Sequence, residues 1–88
     1  MANRKGAIRR RNVEKILLAA ESIFAEKGFA GATMNDIAQL AELPKSNLHY
    51  YFSTKEQLYR EVLLELLELW KHDTWIIKEL EAQRVLLP

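Results

Sequence analysis

The chain has 88 residues, 49% of them apolar and 28% charged, and no cysteine, which bounds it to one small domain with a modest core and no disulfide or thiolate chemistry. No apolar run approaches the roughly 18 to 20 residues of a membrane span, and no apolar h-region follows the basic N-terminus to make a secretory signal. The net charge of +1 conceals an asymmetry: residues 1–60 carry ten Lys/Arg against six Asp/Glu, and residues 61–88 three against six, so the N-terminal part is the half that attracts phosphate.

Residues 1–11 (MANRKGAIRRR) are polar, basic and aperiodic, and read as a flexible arm. Helical periodicity begins near Arg10. Val13, Ile16, Leu17, Ala20, Ile23 and Phe24 fall at i, i+3, i+4, i+7, i+10 and i+11, a single apolar stripe. Gly28 is placed to close this helix with a positive φ, and Phe29 to fold back on its last turn. The loop 29–32 holds a second glycine, Gly31.

Thr33 then reads as the N-cap of a second helix, with Asp36 as the acidic member of a variant capping box. Met34, Ile37, Ala38 and Ala41 supply its buried side, the alanines allowing close approach of a neighbour. Glu42-Leu43-Pro44 interrupts the pattern, and Pro44 suits the first turn of a third helix over about Lys45 to Tyr51. Leu48 and Phe52 should point inward. Ser53 or Thr54 should cap a fourth helix whose first turn holds Glu56.

That fourth helix meets no Gly or Pro before Pro88, so it can run to Trp70 and beyond Leu80. At roughly 100° per residue, Leu58, Tyr59, Val62, Leu63, Leu66, Leu67, Leu69 and Trp70 cover about half of its circumference, an arc too wide for three short helices to bury. Asp73 falls inside the arc before Ile76, Ile77 and Leu80 resume it, and Trp75 adds to the surface. Such a surface is made to be covered, which leads us to expect a homo-oligomer joined through the apolar face of this helix. The arc is also too wide and too short for a coiled-coil seam.

The segment Thr33–Lys55, TMNDIAQLAELPKSNLHYYFSTK, has the layout of a helix-turn-helix DNA reader: a short helix, a tight turn and a second short helix ending in a polar and aromatic cluster. Its residues form specific patterns. T-x-x-x-I-A-x-x-A (Thr33, Ile37, Ala38, Ala41) is followed by L-P-K-S-N-L-H-Y-Y-F-x-T-K-E-x-L (Leu43 to Leu58). Over about Val13 to Leu67 the chain resembles the DNA-binding domain of TetR/AcrR transcriptional regulators. The resemblance implies an all-α fold: a three-helix, homeodomain-like helix-turn-helix bundle plus a long fourth helix. The expected organisation is a basic arm over 1–11, a DNA-binding domain over 12–57, and a connecting helix with a truncated tail over 58–88.

Carried over by position, the resemblance implies that Thr33 meets a phosphate and that Lys45, Ser46 and Asn47 face base edges from the recognition helix. It places His49 where an aromatic usually touches backbone and thymine methyls. Tyr51 stands where a residue bonds a phosphate, with Tyr50 beside it, and Lys55 would clamp a further phosphate. Elementary chemistry agrees: helix N-termini attract phosphate, lysine donates to guanine and asparagine pairs with adenine, and tyrosine hydroxyls position a protein on the backbone. Tyr50 reads equally as a core ring sealing the first helix against the fourth. Arg4, Lys5, Arg9, Arg10 and Arg11 form an arm that either follows DNA or does nothing specific.

Two departures stand out. Glu42 occupies a turn position usually held by glycine, so either it adopts a strained φ or the turn is built differently. Ser46 replaces a frequent glycine. His49 and His72 are too far apart, with too few carboxylates near them, to hold zinc, and no nucleophile–base pair or carboxylate dyad shares a face. The chain is therefore expected to be no enzyme and to need neither cofactor nor metal. The function expected is a sequence-specific, repressor-type DNA-binding regulator. It would act in the cytoplasm at the bacterial nucleoid, reading a palindromic operator in double-stranded DNA as a dimer, away from membranes. Relatives of this class run on through ligand-binding helices, so the chain is expected to be a fragment or truncated product with no small-molecule effector site. The alternative is a helical interaction module that associates with full-length regulators through the fourth helix.

Overall fold

The computed structural model describes residues 4–72 together with 78, 79, 81 and 82. Four helices follow one another: α1 Arg4–Gly31, α2 Met34–Ala41, α3 Lys45–Tyr51 and α4 Lys55–His72. The chain thus adopts the all-α fold expected, three helices and a long fourth. α1 packs against α2 and α4, and α2 against α3. Expectations for Asp73, Trp75, Ile76, Ile77 and Leu80 fall outside the described residues.

The stripe on α1 buries Ile16, Ala20, Ile23 and Phe24, while Val13 and Leu17 pack at its margin. Gly28 interrupts the helix at φ 73° and ψ 172° but does not close it: helix resumes through Gly31 where a 29–32 loop was expected. A Cβ at Gly28 would meet nothing within 4 Å, so backbone conformation rather than space calls for glycine. Phe29 then turns back and stacks on Phe24 with centroids 6.1 Å apart, and Tyr59 of α4 meets both rings edge-on at 4.9 and 5.0 Å.

At its other end α1 departs from expectation. The basic segment read as a flexible arm is helical from Arg4 onward. Ala7, Ile8 and the arginines tolerate helix well, and the Arg9 guanidinium lies 5.6 Å from the centre of the Tyr51 ring. A contact with another helix therefore holds what local periodicity left unassigned.

Thr33 caps α2 as expected, its Oγ1 accepting from the Asp36 N–H at 3.1 Å. Asp36 reaches back toward Thr33 as the capping box asks and also pairs outward: its Oδ2 receives Lys27 Nζ at 3.0 Å, tying α2 to α1. Hydrogen bonding by Lys27, then by Thr33, holds the Asp36 carboxyl below its ordinary range. The helix ends on Glu42 at φ 58° and ψ 41°, the only non-glycine residue with positive φ among those described. Its N–H reaches Gln39 O at 3.1 Å while the Leu43 N–H reaches Ala38 O at 3.0 Å. This is a Schellman closure. The turn is therefore built in its usual way, and Glu42 bears the strain.

Pro44 precedes α3 as its N-cap instead of lying in its first turn, and its carbonyl accepts from the Asn47 and Leu48 N–H groups at 3.0 and 3.2 Å. Leu48 and Phe52 enter the core. Thr54 caps α4, receiving the Gln57 N–H at 3.1 Å. The Gln57 Oε1 reaches back to Ser53, accepting from its N–H at 3.0 Å and its hydroxyl at 2.9 Å. Thr54 thus satisfies one of the orphan donors at this helix start, and Gln57 reaches back one residue further than in a standard capping box, to Ser53. Leu58 and Val62 complete the core, with Leu66 half-buried, while Leu63, Leu64, Leu67, Leu69 and Trp70 stay exposed.

Candidate nucleic-acid interface

α3 has seven residues and buries only Leu48. Because one side chain of a short helix anchors it, the others are turned out by geometry. Lys45, Ser46, Asn47, His49 and Tyr50 are all exposed, and Tyr51 is half-buried. Tyr50, for which a core position was an equal expectation, is 76% exposed. Its ring packs edgewise on Tyr51 at 5.1 Å, so the α1/α4 junction is not sealed by it. His49 Nδ1 lies 3.3 Å from Ser53 O, which fixes the ring against the end of α3.

The ends of neighbouring helices frame this face. Thr33 is exposed at the start of α2, its oxygen engaged by the cap. Lys55, at the start of α4, faces partly inward. Its Nζ donates to Phe29 O at 2.8 Å and Ala32 O at 3.2 Å, and sits 4.4 Å from the centre of the Phe29 ring. Two of its three donors hold the end of α1 that leads into Thr33, which leaves one for a phosphate.

Asn12 was not among the residues singled out from sequence, and Arg9 was named only as one of the arginines of the basic arm. Asn12 Nδ2 lies 3.4 Å from the Tyr51 hydroxyl, and Arg9 covers the Tyr51 ring. These contacts join the N-terminal turns of α1 to the last residue of α3. The spacing of Arg9 and Asn12, one helical turn apart, was visible, but nothing local pointed it at a residue 39 positions away. Taken together, an exposed helix bearing amine, hydroxyl and amide donors is flanked by a capped helix start, two phenols and the arginines of α1. The arrangement has the donors to meet acceptor-rich base edges and phosphates.

Residues 16–62 match the family model for bacterial regulatory proteins of the tetR family. The chain belongs to the TetR family. Among its relatives, the HTH-type transcriptional regulator RutR of Escherichia coli K12 is 47% identical over 55 residues, covering 62% of this chain and 26% of RutR. QacR of Staphylococcus aureus, also an HTH-type transcriptional regulator, is 42% identical over 50 residues, covering 57% of this chain and 27% of its own length. IcaR of Staphylococcus epidermidis, a negative transcriptional regulator of the biofilm operon icaADBC, is 38% identical over 48 residues, 54% of this chain and 26% of IcaR. The crystal structure of a HlyIIR mutant superposes with a TM-score of 0.64 at 38% identity, covering 65% of this chain and 31% of that one. This TetR-family chain spans about a quarter of the length of the curated relatives it matches.

Proposed function

We propose that this TetR-family chain is a sequence-specific DNA-binding transcriptional regulator of repressor type that lays α3 in the major groove. One observation carries the reading: α3 buries Leu48 alone and exposes Lys45, Ser46, Asn47, His49 and Tyr50. A short helix of that kind is stabilised from one side and reads with the other. Lys45, Ser46 and Asn47, in its first turn, face base edges. Thr33, His49, Tyr50, Tyr51 and the remaining donor of Lys55 meet backbone and phosphate, which fixes the register on the duplex. The repressor sense is supported by IcaR, whose name describes a negative regulator. The site of action is the cytoplasm, at the nucleoid.

The partner is a palindromic operator bound by two copies, with half-sites about one helical turn apart. Self-association through α4 is supported by the face it leaves uncovered, on which Leu67 is 57% and Trp70 61% exposed. Sedimentation should show a dimer or larger species at tens of micromolar, and a stable monomer there would remove this part of the reading. The same face supports the other reading, an interaction module that pairs with full-length regulators. A titration of duplexes selected from a randomised pool, at two salt concentrations, separates the two. Specific, salt-dependent binding that is lost in Lys45→Ala and Tyr51→Ala is expected, and unchanged binding by those variants would overturn the site assignment.

A further inference from the structure

We propose that Asn12 is a positioning residue that sets the Tyr51 hydroxyl as a donor to a DNA phosphate, and that Arg9 supplies positive charge to that same phosphate. The proposal rests on the DNA-binding reading above and adds to it a contact made jointly by α1 and α3.

A phenol has one proton to give and lone pairs to accept with, whereas the NH2 of a carboxamide only donates. Asn12 Nδ2 approaches the Tyr51 oxygen at 3.4 Å, so it occupies a lone pair and leaves the phenolic proton to point elsewhere. Among the described residues no hydrogen bond takes that proton. Receiving one hydrogen bond also polarises the O–H toward giving another. The proton is thus available to an acceptor brought to this face, beside the most basic stretch of the molecule.

Arg9 identifies the acceptor's charge. Its guanidinium is held 5.6 Å from the Tyr51 ring centre, which orients a planar donor fork suited to phosphate oxygens. The open groove at this junction, about 520 Å³, is lined by Arg9, Arg10 and Tyr51 but also by Glu14, Glu61 and Glu65. Those carboxylates repel a small free anion, so the groove is no cage for inorganic phosphate. A duplex already held by the exposed face of α3 delivers a phosphate to Tyr51 without needing a cage.

The test uses the chain with a labelled two-turn duplex of mixed sequence, since a phosphate contact is independent of sequence. Asn12→Ala and Tyr51→Phe should each weaken binding about three- to tenfold and leave the salt slope unchanged, because both side chains are neutral. Arg9→Gln should lower the slope by about one. Asn12→Asp turns the positioning group into an acceptor that captures the phenolic proton. Its loss should therefore be several-fold larger with Tyr51 present than in the Tyr51→Phe background. An equal loss in both backgrounds would mean that repulsion by the new charge explains everything, and the proposal would fall. Asn12→Ala binding as tightly as the parent, with its melting temperature unchanged, would also overturn it. Displacement of the duplex by millimolar inorganic phosphate at matched ionic strength would refute the assignment to the DNA backbone. If the parent chain shows no salt-dependent binding to any duplex, the broader DNA-binding reading fails and takes this one with it.

Discussion

Replacing Glu42 by glycine should stabilise this protein, even though it deletes a side chain and adds no contact. Glu42 is held at φ 58° and ψ 41°, where an L-residue pays roughly 1–2 kcal/mol against the right-handed region. Glycine adopts that conformation freely but gives the unfolded chain more freedom, a cost on the order of 0.5–1 kcal/mol. The Schellman bonds to Gln39 and Ala38 are made by backbone N–H groups and survive the change. The Glu42 side chain is exposed and makes no hydrogen bond or ion pair among the described residues. The difference is a gain of about 0.5–1 kcal/mol, which raises the melting temperature of a domain this size by about 2–8 °C. Thermal unfolding followed by circular dichroism measures it, with Glu42→Ala as the control that removes the charge and keeps the strain. Glu42→Asn should fall between the two, since asparagine tolerates this region better than alanine. Should Glu42→Gly melt no higher than Glu42→Ala, the reasoning from backbone strain is refuted.

Four other substitutions probe separate parts of the structure. Leu58 is fully buried, and Leu58→Ala should cost about 2–5 kcal/mol, enough in so small a domain to show as extensive unfolding in mild urea; a loss below about 1 kcal/mol would contradict its core position. Thr33→Ala removes the α2 cap and should cost about 1 kcal/mol, with Thr33→Ser restoring most of it. The Asp36 carboxyl, lowered by Lys27 and Thr33, contributes stability that is complete above its ordinary value and fades as pH falls through the lowered one; melting curves of Asp36→Asn should lack that acid-side decline. Lys55→Met keeps the stem but loses the bonds to Phe29 O and Ala32 O, and should lower stability by about 1 kcal/mol in the absence of DNA, whereas a lysine serving DNA alone would leave the melting temperature unchanged.

Much of the exposed face of α3 is legible in the sequence because its determinants are local. Whether Leu48 points inward decides which way Lys45, Ser46, Asn47 and His49 point, and helical spacing settles that within one turn. The placement of Lys55 was only half visible. The family resemblance implies a phosphate clamp there, but the carbonyls it binds lie 26 and 23 positions earlier in the chain. Tyr50 and Tyr51 illustrate the same limit. They are adjacent and identical in chemistry, yet one is 76% exposed and the other is pinned between α3 and α1.

The sequence by itself determined several local turns of the backbone and the stripe they flank: Gly28 at positive φ, Thr33 as the cap of α2, a cap for α4 at Ser53 or Thr54, and the stripe from Ile16 to Phe24. Each depends on the steric and hydrogen-bonding needs of a few consecutive residues. Only the tertiary structure decided that Asp36 pairs with Lys27, that Lys55 holds the end of α1 through Phe29 O and Ala32 O, and that α1 remains helical back to Arg4 with Arg9 and Asn12 on Tyr51. Those outcomes depend on which helix faces meet in space. A side chain with several possible partners takes the one that packing brings within reach, and no period along the chain encodes that distance.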